Sequence, residues 1–193
     1  MPESFYLQYM PDERAQNWLC ELQTKYATTN SSERLTSPKA MHLTILHFGH
    51  LSDTLAQLQT VHSDLSAEMF YEGVAKLIRA SDPLLPSQLE LHATGIDLFG
   101  PHGTALAVTF KPTTELVKIH SSVHEKLGDF LEHIGIQQNA VLPHRKRALQ
   151  IHPTIKPHIT LIKGVQPQQH VLPERFNSAP QLRLVRNPGF ITA

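Results

Sequence analysis

Only one cysteine, Cys20, occurs among the 193 residues, so the chain offers neither a disulfide framework nor a cysteine-built zinc site. No apolar run approaches the ~20 residues that a membrane-spanning helix requires. Charge of one sign is also missing. Seventeen Lys and Arg residues balance 17 Asp and Glu, which excludes the broad basic field behind non-specific duplex binding but leaves room for a local basic patch. Neither G-x-x-x-x-G-K-[ST] nor G-x-G-x-x-G is present, which removes the usual glycine-rich nucleotide cradles. The opening Met1-Pro2-Glu3-Ser4 lacks the charged-then-apolar layout of a secretion signal, so a cytoplasmic address is the expectation. What remains is a globular composition, 40% hydrophobic and 18% charged, long enough for one compact domain or two small lobes sharing one. It is rich in histidine, with 13.

The apolar pattern alternates between strand and helix. Residues 4–10 read as a first strand ending at Pro11, and Pro11-Asp12-Glu13 opens a helix to about Tyr26. A strand over 41–48 and a helix carrying Leu55, Leu58, Val61, Leu65 and Met69 follow. The Asp82-Pro83 and Leu85-Pro86 steps argue for loop over 70–88. Strands over 89–99 and 105–110 flank a Gly100-Pro101-His102-Gly103 turn. A long helix spans 116–134, with Gly135 at the capping position. Residues 136–157 form a loop bearing His144-Arg145-Lys146-Arg147, and short strands follow over 158–162 and 182–185.

A histidine followed two positions later by Ser or Thr is common in so His-rich a chain, and strand geometry sorts the cases. In a strand, residues i and i+2 share a face, so imidazole and hydroxyl can converge on one ligand. His120 lies on a helix, where such a pair diverges. His102 lies in a turn, His152 in a loop, and the frame around His92 is interrupted by Gly95. Two occurrences have a full strand context: His42-Leu43-Thr44-Ile45-Leu46 and His158-Ile159-Thr160-Leu161-Ile162. They match in chemical type at every position, which reads as a short internal duplication. Each places His and Thr on one face and Leu43 or Ile159 toward the core.

Imidazoles titrate near neutrality, so one of the pair can act as base while the other acts as acid. Displacement at phosphorus needs both, and two threonine hydroxyls could donate to non-bridging oxygens as charge builds. No metal or other cofactor is required by this scheme.

The two segments, set in Met41-His42-Leu43-Thr44-Ile45-Leu46-His47-Phe48-Gly49 and Pro157-His158-Ile159-Thr160-Leu161-Ile162-Lys163, resemble the paired signature of the 2H phosphoesterase superfamily. The nearest branch is the 2′-5′ RNA ligase-like, RNA 2′,3′-cyclic phosphodiesterase (LigT-like) group, and the similarity spans most of residues 4–163. It implies a bilobal α/β (α+β) fold in which two pseudo-symmetric antiparallel sheets face a central groove with helices outside. It also implies His42 and His158 as the catalytic acid/base pair and Thr44 and Thr160 as phosphate-binding hydroxyls. Lys163 falls where the family often has Arg, although its strand parity puts it on the Leu161 side unless the strand ends first. Phe48 shares parity with His42 and Thr44 and is a candidate to stack on a base, or a core aromatic.

The interval between motifs is longer than is usual in the family, with the excess over 70–88 and 136–157. The basic loop at 136–157 reads either as a lid over the phosphodiester backbone or as a solvated charge run. His120 and His124 have a metal-compatible spacing but no third ligand nearby, so a solvent-facing pair is the expectation. His47 has core-facing parity and reads as a packed histidine. The whole is read as one two-lobed, monomeric phosphoesterase domain over 1–193. It would hydrolyse 2′,3′-cyclic phosphate ends of RNA or nucleotides, without a membrane partner. Alternatives at the same site are a 2′-5′ oligonucleotide or cyclic-oligonucleotide phosphodiesterase, a 2′-5′ RNA ligase, or a non-catalytic RNA-end binder.

Overall fold

A computed structural model describes residues 4–136, 154–167, 174–178 and 180–187. The described chain runs β1 (Ser4–Pro11), α1 (Glu13–Tyr26), β2 (Arg34–Leu35), β3 (Leu43–His50), α2 (Leu51–Gln59) and α3 (Ala67–Ser81). It continues with β4 (Gln88–Phe99), β5 (Ala105–Phe110), α4 (Thr114–His133), β6 (His158–Lys163), β7 (Glu174–Arg175) and β8 (Gln181–Arg186). Three of the helices begin where the sequence supplies an acceptor for orphan N–H groups: Asp12, Ser66 and Thr113 each cap the backbone three residues on. The strand expected to end at Pro11 and the helix expected to end at Gly135 both do so, Gly135 taking a φ of +76°.

All pairings are antiparallel, in the order β2-β6-β3-β1-β8-β4-β5, with β5 also pairing β6 and β7 joining β4. The ladder therefore closes on itself through β1, β3, β6, β5, β4 and β8. Its symmetry is that of an approximate two-fold, relating β8-β1-β3 to β4-β5-β6. At the β3–β6 junction the pair on the pseudo-axis is Leu43 opposite Ile159, the equivalent residues of the two repeated segments.

The repeat extends to a shared irregularity. In β3 the register slips so that Gln8 faces Thr44 while Leu7 faces Leu46, leaving Ile45 extra. In β6 Ala107 faces Thr160 while Leu106 faces Ile162, leaving Leu161 extra. Each bulge sends two successive aliphatics into the core and reverses the parity of everything after it. Phe48 is the casualty of the first bulge, and a second slip between Phe5 and Tyr6 falls at the same residue. Its expected place on the His42 face is corrected: the ring is 2% exposed and packs 5.7 Å from Phe5 and 5.3 Å from Phe130. His47, expected inward, is instead exposed and stacks on Tyr6 at 4.6 Å.

Residues 70–81, expected as loop, belong to α3. Phe70, Val74 and Leu77 have helical spacing and are buried, and the Asp82-Pro83 step ends the helix rather than preventing it. His120 and His124 are likewise corrected from the solvent to the interior. They are 5% and 4% exposed, with ring centroids 4.1 Å apart. The basic loop expected at 136–157 lies almost wholly outside the described residues. No described helix is long and apolar enough to cross a membrane.

Candidate active site

The two repeated segments meet. Because Leu43 and Ile159 are directly opposed in an antiparallel pair, one step in either direction sets His42 against Thr160 and Thr44 against His158. Side chains opposed in this way share a face, and the charge of His158 is felt at His42. Leu43 and Ile159 are buried at 1% and 0%, while His42, Thr44, His158 and Thr160 are all half-buried on the other face. The four residues singled out by sequence thus form one reciprocal cluster, each imidazole beside the other segment's hydroxyl.

Both imidazoles are held in the same way. His42 Nδ1 lies 2.8 Å from the Ala40 carbonyl, and His158 Nδ1 lies 2.8 Å from the Lys156 carbonyl. A carbonyl oxygen only accepts, so each Nδ1 carries the proton and donates it. That leaves Nε2 of each ring as the position at which a proton can be taken or given. The carbonyls are themselves fixed. Ala40 closes a 3-10 turn over Pro38–Ala40 whose Pro38 carbonyl accepts from Gln16 Nε2 of α1 at 2.8 Å. Beside Lys156, the Pro157 carbonyl accepts from Phe110 N at 3.0 Å.

Burial pushes the His42 imidazole below its ordinary value of 6.5, and the positive charges of Lys163 and of a protonated His158 push the same way; the Ala40 carbonyl opposes them. Lys163 therefore acts on the cluster. The β6 bulge explains how, since the extra Leu161 returns Lys163 to the parity of His158 and Thr160. The ammonium makes no ion pair among the described residues. Neither the Thr44 nor the Thr160 hydroxyl has a protein hydrogen bond there, so both are available to a ligand.

Sequence reasoning missed Phe99. It ends β4, opposite Ala105, and its ring stacks on His158 at 4.1 Å and 14° between planes. The signal was its position immediately before the Gly100 turn, in register with a small residue of the next strand. It also missed Gln8, opposite Thr44, and Arg34, opposite Lys163. Ala105 and Ala107 oppose Lys163 and Thr160 from β5, keeping that side of the face low. No group of three or more His, Cys, Asp or Glu side chains suited to a metal occurs among the described residues.

No family profile and no curated protein matches the sequence. Solved structures do match. TT0787 of Thermus thermophilus aligns over 93% of this chain and 84% of its own, at 18% identity and a TM-score of 0.58. E. coli LigT in complex with phosphate aligns over 96% and 87%, at 13% identity and a TM-score of 0.58. A structure described as a phosphoesterase aligns over 96% and 88%, at 11% identity and a TM-score of 0.55. With an antiparallel network of eight strands and four α-helices among the described residues, and two opposed His-x-Thr segments, the chain has the fold of these solved structures, LigT among them.

Proposed function

We propose that the protein is a phosphodiesterase that hydrolyses 2′,3′-cyclic phosphate ends of RNA or nucleotides by paired-histidine acid/base catalysis. The observation that carries this reading is the reciprocal cluster of His42, Thr160, Thr44 and His158 around the Leu43–Ile159 pair. E. coli LigT has been solved with 3′-AMP and with phosphate, ligands of the same chemical class as the proposed substrate and product.

His42 is assigned as the base, because its depressed affinity for protons keeps Nε2 free near neutral pH. It takes a proton from water as the water oxygen bonds to phosphorus. His158 enters protonated and gives its Nε2 proton to the ribose oxygen whose bond to phosphorus breaks. Attack and departure in line leave a phosphomonoester and a free hydroxyl. The Thr44 and Thr160 hydroxyls donate to non-bridging oxygens as those oxygens become more negative. This scheme routes no step through a metal.

The test is turnover of a 2′,3′-cyclic nucleotide by the wild type, His42→Ala and His158→Ala, each with and without excess EDTA. The wild type should turn over equally in both conditions. Each variant should lose at least about a hundredfold in kcat. Activity retained in both variants, or absent from the wild type, would overturn the reading.

A further inference from the structure

Beside the catalytic cluster the sheet ends in an edge strand with a charge the proposed chemistry does not use. Arg34 of β2 lies directly opposite Lys163 of β6. Directly opposed residues of an antiparallel pair project to one face. Past the bulge at Leu161, Lys163 has the face of Thr160, and its charge is felt at His42. Arg34 thus extends the catalytic face by one strand. Arg34 and Lys163 are both exposed, and neither makes an ion pair among the described residues. The neighbouring Glu33 is turned away, its carboxylate accepting from the Thr28 backbone N–H at 2.9 Å and the Thr28 hydroxyl at 2.8 Å.

Two cations side by side repel one another, and the backbone that brings them together is held by a close approach. Gly164, with a φ of +77°, has the Ser32 carbonyl 2.2 Å from where a Cβ would stand, so only glycine lets the segment before β2 close onto the end of β6. The Ser32 hydroxyl completes the contact by donating to the Gly164 carbonyl at 2.9 Å. From Thr160 to Lys163 is roughly 7–10 Å along a bulged strand, about one nucleotide along a phosphodiester chain.

We propose that Arg34 and Lys163 form a second phosphate subsite, so that the substrate is an RNA end whose terminal nucleotide carries a 5′-phosphate or phosphodiester, rather than a free cyclic mononucleotide. This rests on the cyclic-phosphate reading above. A guanidinium presents its donors as a fork that matches two phosphate oxygens, and the ammonium adds a point charge beside it.

Two substrates separate the terms: adenosine 2′,3′-cyclic phosphate, and the same nucleoside with an added 5′-phosphate. The wild type should favour the second by about tenfold or more in kcat/KM, and the preference should shrink as salt rises. Arg34→Gln should bring the ratio close to one and Arg34→Lys should restore part of it, with unchanged thermal melts. A wild-type ratio near one, or a preference that survives in Arg34→Gln, overturns the subsite and leaves the hydrolase reading standing. If neither substrate is turned over, the hydrolase reading fails, and calorimetric titration with adenosine 3′,5′-bisphosphate against 3′-AMP decides the subsite alone. Tighter bisphosphate binding that is lost in Arg34→Gln supports it, and equal binding overturns it. Should Arg34→Gln fail to fold, the wild-type ratio and its decline with salt decide in the same way.

Discussion

Phe99 lies face to face with His158, with ring centroids 4.1 Å apart and planes 14° from parallel. Among the described residues no ring is stacked in this way on His42, so an otherwise reciprocal cluster is asymmetric. One imidazole is braced by an aromatic from β4, and the other is shaped by burial and the Lys163 charge.

An aromatic pair of this kind contributes about 0.5–1.5 kcal/mol, and here it fixes a ring that must present Nε2. Phe99→Leu keeps the apolar bulk and removes the stack. In steady-state kinetics with a cyclic nucleotide, kcat should fall roughly 2- to 10-fold with KM little changed. An unchanged kcat would mean that the Nδ1–carbonyl bond alone positions His158.

Lys163→Gln removes a positive charge that disfavours protonation of His42. The imidazolium then becomes easier to form, and the affinity of His42 for protons rises toward its ordinary value. Because the base must be neutral, the acidic limb of the pH–rate profile should move to higher pH. Measured kcat between pH 5 and 8 gives the sign, and a shift to lower pH would contradict His42 as base.

Thr44→Val and Thr160→Val are close to isosteric and delete only the hydroxyls. On the proposed mechanism each removes a donor to the oxygens where negative charge develops, so each should lower kcat by about 10²–10³-fold with little effect on the thermal melt. Losses in KM alone would assign these hydroxyls to ground-state binding.

The β6 bulge hangs on a buried amide. Gln23 of α1, 7% exposed, donates from Nε2 to the Thr36 carbonyl at 2.9 Å and to the Leu161 carbonyl at 2.7 Å. Gln23→Leu should cost about 1–3 kcal/mol in denaturant unfolding and reduce activity as the bulge relaxes. Gly164→Ala meets both a left-handed backbone and the Ser32 carbonyl, and should cost more than about 1 kcal/mol. A neutral result for either would show that the edge of β6 adapts freely.

Much of the site was legible without coordinates. His42, Thr44, His158 and Thr160 were legible because strand parity is local and two matching segments far apart in the chain seldom arise by chance. The strand parity of Lys163 and of Phe48 was misread for one shared reason. Each lies beyond a bulge, and an extra residue leaves no mark in a run of aliphatics such as Ile45-Leu46 or Leu161-Ile162. The α3 helix was hidden by prolines that terminate it. Phe99 carried only the weak signal of its place before the Gly100 turn and Arg34 carried none, since each reaches the site from a different strand.

By itself, then, the sequence determined the repeated His-x-Thr segments, the alternation of helix and strand, and the apolar residues that face inward. These depend on periodicity and backbone stereochemistry within a few residues. Only the tertiary structure decided that Leu43 would pair with Ile159, bringing the two segments into one cluster. It also decided which face each residue beyond the bulges would take, and that Arg34 would stand beside Lys163. Those outcomes are set by register between strands remote in sequence, where a slip of one residue turns a core side chain into one that faces the site.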